Sequence, residues 1–289
     1  MKLSLCIQTP EFSQPLPVAL LSGAFEEKLE KAARLGYDGV ELLPVRPEQL
    51  DPAELRAALR HAGLAAVAVS SAGLRLFGGL TLLDPDPAVA AAARRSLFDL
   101  IELAAALDAP VVTVGSFKGW LRSAAAGAQA RGELVTCLHL AGARARPAGI
   151  RIAVEALNRY ESDLANTAED TLTLVQEVGH PNVGVLLDTY HMNIEERDPA
   201  GALRATAAAG RLYHVHIADS NRLPPGCGHI DFARIVLALH AAGYHEYLSA
   251  ELLPQPDPDS AARLTVEHMR PLIPRQSRDG GARPPERTL

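Results

Sequence analysis

The 289-residue sequence predicts an α/β fold, a single (β/α)8 barrel over residues 1–273. In one recurring pattern, an Ala- and Leu-rich helical stretch stops at Gly or a turn, and a short apolar run follows. The pattern occurs seven times, in KAARLGYDGVELL, ALRHAGLAAVAVSS, LAAALDAPVVTVGS, GARARPAGIRIAVEAL, LVQEVGHPNVGVLLD, ATAAAGRLYHVHIAD and LALHAAGYHEYLSAELL. With an N-terminal strand over residues 2–9 the count is eight, which matches a barrel of this size.

The strands and their connections follow from the same pattern. Short apolar runs after helix stops are typical of buried parallel strands, which need right-handed helical crossovers. Six glycines stand where a helix requires a left-handed residue at its C-terminal end: Gly36, Gly63, Gly149, Gly179, Gly210 and Gly243. A doubly wound open sheet is the alternative, but no glycine-rich phosphate loop follows the first strand.

Several helices can be placed from their ends. Acidic residues in the first turn favour a helix over Phe25–Leu35, and Asp51 before Pro52 predicts an N-cap followed by a first-turn proline. A long helix is expected over 87–107, and Thr167 with Asp170 resembles a capping box. The Pro-, Gly- and Arg-rich residues 274–289 have no apolar period and predict a disordered tail.

Composition narrows the class of protein. A formal net charge of -6 argues against nucleic acid as a partner, and no apolar run is long enough for a transmembrane helix. The three cysteines, Cys6, Cys137 and Cys227, are too few and too widely spaced for a disulfide framework. With no secretory signal recognised at the N-terminus, these features favour a cytoplasmic location.

Candidate functional residues stand at the carboxyl ends of four consecutive predicted strands, where the active sites of such barrels lie. Glu155 ends the fifth strand, Asp188 the sixth and Glu251 the eighth, while the seventh carries His214 and His216 on one face. Each residue alone is more often a helix cap or a packed side chain. Together they are costly to bury unless they are paired or hold a metal.

The chemistry of this set predicts one divalent cation. Two Glu, one Asp and one His form a mixed oxygen and nitrogen set, which suits Mn²⁺ best, with Mg²⁺, Co²⁺ or Zn²⁺ as alternatives. No thiolate accompanies them, so a structural zinc site is not expected. Clustering of ionisable groups in this way is typical of functional sites.

Four segments, EALNRYE, LLDTYHMN, HIADSNR with LPPGCG, and SAELL, resemble the signature segments of ketose 3-epimerases of the tagatose and allulose type. These enzymes belong to the xylose-isomerase-like barrel superfamily. The resemblance implies that Glu155, Asp188, His216 and Glu251 bind the metal, with Glu155 and Glu251 also acting as acid and base. His216 is preferred to His214 because it lies six residues before Arg222, as in the family, and nearer the end of its strand.

The resemblance also implies the substrate contacts and the assembly. It places Glu161, His191 and Arg222 on a small-molecule sugar, and it implies a homo-oligomer, either a dimer or a tetramer. Ala218 and Asp219 depart from the family, which commonly has Gly-Glu there, and the change shifts one carboxylate by a methylene at a position close to the metal-binding strand. Lys118, Trp120 and Arg122 are candidates for the pocket wall, while Asn158 and Arg159 are interpreted as loop-fixing residues.

The expected reaction is C3 epimerisation of a free ketose through a cis-enediolate, with two carboxylates exchanging protons on opposite faces of the sugar. Aldose–ketose isomerisation and an inosose-type isomerase or dehydratase use the same site and remain open. A non-catalytic sugar-binding barrel is a third alternative. A DNA-repair endonuclease is disfavoured because the third and fourth predicted strands supply no further His or Glu ligands, and the net charge repels phosphates.

Overall fold

A computed structural model describes residues 1–124 and 126–273. Eight parallel strands form a closed barrel in which each strand pairs with its neighbours in sequence, and the first strand pairs with the eighth. The predicted (β/α)8 barrel is therefore confirmed. The predicted tail, residues 274–289, lies outside the described residues.

The barrel alternates strands and helices along the described chain. The strands are β1 (Lys2–Gln8), β2 (Gly39–Leu43), β3 (Ala65–Ser70), β4 (Val111–Val114), β5 (Arg151–Glu155), β6 (Val183–Asp188), β7 (Leu212–Ile217) and β8 (Tyr247–Ala250). The α-helices are α1 (Phe25–Leu35), α2 (Pro52–Ala62), α3 (Ala72–Leu76), α4 (Pro87–Ala106), α5 (Ala130–Ala145), α6 (Ala168–Val178), α7 (Thr189–Glu195), α8 (Pro199–Ala208), α9 (Phe232–Ala241) and α10 (Pro258–Met269). None of these helices is long and apolar enough to cross a membrane.

The helix ends follow the local chemistry of the sequence. The Asp51 carboxylate accepts a hydrogen bond from the Ala53 amide at the start of α2, and Thr167 and Asp170 form the predicted capping box of α6. All six glycines predicted to end helices have positive φ. The long helix α4 ends at Ala106, one residue before the predicted end.

The core has two layers with different chemistry. Apolar residues such as Leu5, Leu42 and Val185 pack in the main core that joins the strands to the surrounding helices. Inside the barrel the buried residues are partly polar, and they contact one another across it: the Thr113 hydroxyl donates to Glu41, which also contacts His214. This polar interior leads to the carboxyl ends of the strands.

Candidate active site

Four ionisable side chains meet at the mouth of the barrel. Glu155 and Asp188 are the last residues of β5 and β6, His216 is one residue from the end of β7, and Glu251 directly follows β8. One candidate ligand atom from each lies within 4.8 Å of the other three, and all four residues are buried. The structure thus brings together the whole predicted ligand set.

The fit of a cation can be judged from the hydrogen bonds that these residues lack. Glu155 Oε1, Asp188 Oδ2 and His216 Nδ1 are buried without a hydrogen-bond partner among the described residues. Unpaired buried polar atoms are costly in a folded protein. These three residues and Glu251 offer ligand atoms within 4.8 Å of one another, which match the donor set of a divalent cation. His216 would release its Nδ1 proton when it binds the cation.

Asp188 has two roles, one for each carboxylate oxygen. Its Oδ1 accepts a hydrogen bond from the Tyr190 amide and caps α7, while its Oδ2 remains free for a cation. Burial raises the pKa of Asp188 to about 7. The plain capping role and the predicted ligand role are therefore compatible within one side chain.

The two glutamates at the mouth experience opposite electrostatic effects. Burial raises the pKa of Glu155. Burial alone would also raise the pKa of Glu251, but the positive charges of His216 and Arg222 outweigh it and hold that pKa below its ordinary range. Two neighbouring carboxyl groups with diverging pKa values are typical of an acid and base pair.

His191 is oriented by Asn158. The Asn158 backbone amide donates to His191 Nδ1 at 3.3 Å, and the Asn158 side-chain amide lies 2.7 Å from the same atom. Nδ1 is thus the acceptor and Nε2 carries the proton. Nε2 has no partner among the described residues and lies 3.7 Å from Glu155 Oε1, within the mouth. Burial holds the His191 pKa well below its usual range, so the ring is a neutral donor.

Arg222 is held in a left-handed conformation at the mouth of the barrel. Its φ is 61°, which is rare for a residue with a Cβ and is often found at functional sites. The guanidinium pairs with Glu161 at 3.2 Å and with Glu251 at 3.5 Å, and it lies 5.0 Å from the centre of the Tyr190 ring. Glu161 therefore contacts Arg222 directly, and it reaches His191 only through Asn158.

Asp219, which departs from the family pattern next to the metal-binding strand, bonds within its own loop. It is buried and accepts hydrogen bonds from the backbone amides of Ser220, Gly226 and Ile230. Its own carbonyl accepts from the Arg222 amide at 2.8 Å. Asp219 is the centre of the loop after β7, and its physical role is to fix the backbone that presents Arg222.

The structure also places four other residues of uncertain role: Arg159, Trp120, Arg122 and Lys118. Arg159 forms a paired ion contact with Glu195 of α7, which supports its interpretation as a loop-fixing residue. Arg122 stacks on Trp120 with 3.7 Å between the guanidinium carbon and the ring centre. Lys118 lies behind the pocket wall, fully buried, where its ammonium donates to the Glu155 carbonyl at 2.7 Å.

Sequence reasoning missed one buried carboxylate inside the barrel, Glu41 of β2. It has no exposed surface and contacts both His214 and His216. The signal was present, because GVELL is an otherwise apolar strand with one acid at its centre. A charged residue in such a strand requires a partner inside the fold.

A cavity of about 160 Å³ opens directly above these residues. Its polar side is formed by Glu155, Glu161, His216, Arg222 and Glu251, and its other side by the residues Pro17, Val18, Ser70, Ala72, Leu76, Thr113, Gly115, Ser116, Leu157 and Leu253. Such a concave site with a few convergent polar groups is typical of small-molecule binding. Together with the closed barrel, it defines a small-molecule enzyme whose site is built from strand ends.

Comparison with known proteins places the chain within this class. The model of the family described as xylose isomerase-like TIM barrel matches residues 29–272. A ketose 3-epimerase of Arthrobacter globiformis is 34% identical over 75% of this chain and 73% of its own length. An L-ribulose 3-epimerase of Mesorhizobium japonicum is 34% identical over 78% and 74% of the two chains.

Solved structures agree with the sequence comparison. The crystal structure of a D-allulose 3-epimerase from a Methylomonas species superposes with a TM-score of 0.76 at 25% identity, covering 94% of this chain and 98% of that chain. The chain belongs to the xylose isomerase-like TIM barrel family and, within it, to the ketose 3-epimerases. It is an isomerase-class enzyme of the sugar epimerase type.

Proposed function

We propose that this enzyme inverts C3 of a free ketose with the help of one divalent cation bound by Glu155, Asp188, His216 and Glu251. The observation that carries the proposal is the convergence of unpartnered buried donor atoms beside two glutamates with opposite pKa shifts. Mn²⁺ is the preferred ion because it accepts a set of three carboxylates and one imidazole. A divalent cation at this point would acidify the carbon–hydrogen bond next to a ketone.

The protein's own groups then move the proton. Glu251, with its lowered pKa, is suited to remove the C3 proton, and Glu155, with its raised pKa, to return one from the opposite face. The direction reverses with the substrate, because epimerisation runs both ways. The sugar passes through a cis-enediolate, and return of the proton to the other face inverts the stereocentre.

Two further groups would bind and orient the sugar. The His191 Nε2–H is a neutral donor directed into the mouth, and it would hold a sugar oxygen as negative charge develops there. Arg222 lies at the cavity wall between Glu161 and Glu251, where it would donate to a neighbouring hydroxyl. Glu161 keeps the guanidinium in place and offers an acceptor for a sugar hydroxyl.

The charge of the cavity supports an unphosphorylated sugar. Among the described residues that line it, Arg222 is the one with a permanent positive charge, and two carboxylates already pair with it. A phosphate group needs charge-assisted donors that are not already neutralised. The names of the relatives, ketose 3-epimerase and L-ribulose 3-epimerase, support a ketose as the substrate class.

The compartment and the oligomeric state of the enzyme are also proposed. Cys6, Cys137 and Cys227 are all free thiols, which supports a reducing compartment such as the cytoplasm. A dimer or tetramer stays a prediction from the family resemblance.

The test combines product analysis with isotope exchange. After treatment with a chelator and addition of Mn²⁺, the enzyme is incubated in D₂O with a panel of free ketoses. We expect the C3 epimer as product, with deuterium at C3, and no exchange in the Glu251→Gln variant although that variant still binds Mn²⁺. Glu246→Gln, which makes the same change on the partly exposed residue before β8, is the matched control and should retain activity.

Other outcomes of this experiment would contradict the assigned base or indicate a different function. Full activity of Glu251→Gln contradicts the assigned base. Deuterium at C2 of an aldose product would indicate aldose–ketose isomerisation, and loss of water would indicate a dehydratase. Sugar binding without any exchange would indicate a non-catalytic barrel.

A further inference from the structure

The Glu41 carboxylate lies directly beneath the mouth and joins two histidines. Its Oε2 atom is 2.9 Å from His214 Nε2 and 3.1 Å from His216 Nε2, and its Oε1 atom accepts from the Thr113 hydroxyl at 3.3 Å. Glu41, His214 and His216 are all buried. A single carboxylate oxygen therefore determines how both imidazoles sit inside the barrel.

The contact fixes which nitrogen of His216 faces the mouth. A carboxylate only accepts hydrogen bonds, so the proton next to Glu41 is on His216 Nε2. His216 Nδ1 then points toward the other ligands, 3.5 Å from Glu251 Oε2 and 3.7 Å from Glu155 Oε1, without a hydrogen-bond partner of its own among the described residues. The ring has one orientation in which Nε2 meets Glu41 and Nδ1 meets the cation.

We infer that Glu41 is a positioning residue of the metal centre, which fixes the tautomer and rotation of His216 so that Nδ1 is the metal ligand. The inference rests on the divalent cation of the proposed function. Imidazole ligands commonly donate their second N–H to a carboxylate, which orients the ring and increases its basicity. Here that carboxylate comes from β2, across the barrel from the ligand on β7.

His214 completes the arrangement without touching the mouth. Its Nε2 donates to the same oxygen of Glu41, and its ring packs edge-on against His216 with 5.1 Å between centroids. His214 thus holds Glu41 from below, and its role is to keep the carboxylate directed at His216. Of the two histidines on this face of β7, His216 is the one whose Nδ1 approaches Glu155 and Glu251.

A second cation site at this level is the competing interpretation. Cys6, Glu41 and His216 also offer three candidate atoms within 4.8 Å of one another. However, His216 Nε2 and Glu41 Oε2 already bond to each other, and Cys6 Sγ lies 3.9 Å from the Ser249 hydroxyl. The atoms at this level are satisfied within the protein, in contrast to those at the mouth.

The first experiment measures Mn²⁺ affinity in chelator-treated protein by titration calorimetry. Glu41→Gln keeps the shape of the side chain but weakens the acceptor, and we expect the Kd for Mn²⁺ to rise about 10- to 100-fold. Glu11→Gln makes the same change in the loop after β1, where the carboxylate accepts from the Val45 and Arg46 amides, and it should leave the Kd within about twofold.

The outcomes separate this inference from the proposed function. If wild-type protein binds no divalent cation, the metal site of the proposed function is wrong, and the inference about Glu41 is overturned with it. If wild type binds Mn²⁺ and a folded Glu41→Gln variant binds it equally well, only the role of Glu41 is overturned. A purely structural role would lower the melting temperature in chelator without changing the Kd of the folded protein.

A second measurement uses unaltered protein and does not depend on the variant folding. In the Mg²⁺-loaded enzyme labelled with ¹⁵N-histidine, the two ring nitrogens of His216 can be distinguished, with His216→Asn providing the assignment. We expect a protonated Nε2 and a proton-free Nδ1. A proton on Nδ1 would overturn the inference.

Discussion

The two halves of the barrel contribute differently to the mouth. Strands β5 to β8 each deliver one ionisable side chain, and the atoms of these groups face one another across a few ångströms. Strands β3 and β4 deliver small or neutral residues to the same cavity, such as Ser70, Thr113 and Gly115. One half therefore carries the chemistry, and the other half shapes the space in which the chemistry takes place.

The residues at the mouth also differ from the residues directly beneath them inside the barrel. At the mouth, Glu155, Asp188 and His216 each have one buried atom without a hydrogen-bond partner in the described part of the chain. Directly beneath them, Glu41 and His214 have their partners within hydrogen-bond distance. Buried polar atoms without a partner are uncommon in folded proteins, and a ligand at the mouth would satisfy these three. This difference distinguishes the functional layer from the supporting layer in a barrel whose interior is polar at both levels.

The difference between the two halves of the barrel is tested most strongly by Glu155→Gln. We expect kcat to fall about 10²- to 10⁴-fold because an acid–base group is lost, as measured by product formation at saturating ketose and Mn²⁺. Ser70→Ala, in the opposite half, should lower kcat less than about tenfold because it removes one neutral hydrogen-bonding group. Equal losses in the two variants would contradict the division of labour between the halves.

The shape-determining half is tested by Gly115→Ala. A Cβ at this position at the end of β4 would collide with Glu155 Oε2, so the catalytic carboxylate must move. We expect kcat to fall about 10²-fold with little change in far-UV circular dichroism, since small displacements of catalytic groups are costly. Gly132→Ala, on α5 with open space around the new Cβ, is the matched control and should be nearly neutral.

The loop that presents Arg222 is tested by Asp219→Asn. Burial alone would raise the pKa of Asp219, but hydrogen bonds from the Ile230 and Ser220 amides outweigh it and hold the pKa below its ordinary value. The replacement should lower the free energy of unfolding at pH 7 by about 1–3 kcal/mol, because a buried amide is left without its acceptor.

The stability difference between wild type and Asp219→Asn should depend on pH. A carboxylate with a depressed folded-state pKa stabilises the protein above its unfolded pKa of about 3.9, and this stabilisation is lost as pH falls through the folded value. The difference in melting temperature between wild type and Asp219→Asn should therefore be largest near pH 7 and shrink below about pH 4. A difference that is independent of pH would contradict the assigned charge.

The smallest expected effect belongs to Asn158→Ala. Loss of the side-chain contact to His191 Nδ1 should lower kcat up to about tenfold, since a neutral hydrogen bond contributes about 0.5–1.5 kcal/mol. The backbone contact remains in the variant, which limits the effect. Asn166→Ala is the control, because it removes a side-chain amide that fixes the same loop but does not contact His191. Its kcat should change less than that of Asn158→Ala. A larger loss in Asn166→Ala would show that the loop, and not the orientation of the His191 ring, is responsible.

Much of the site could be predicted because the sequence fixes where strands end. In a parallel barrel the carboxyl ends of all strands share one rim, so Glu155, Asp188 and Glu251 could be brought together without any knowledge of distances. The helix caps and the left-handed glycines follow from local chemistry in the same way. These features depend only on neighbours along the chain.

Other features required the closed barrel. The contact of Glu41 with His216 joins residues 175 positions apart, and the Asn158 contact with His191 joins residues 33 apart. The sequence by itself determined the repeat, the rim and the residue types on it. Which atoms meet across the interior was decided by strand tilt and stagger, because these set opposing side chains at one level and no local pattern encodes them.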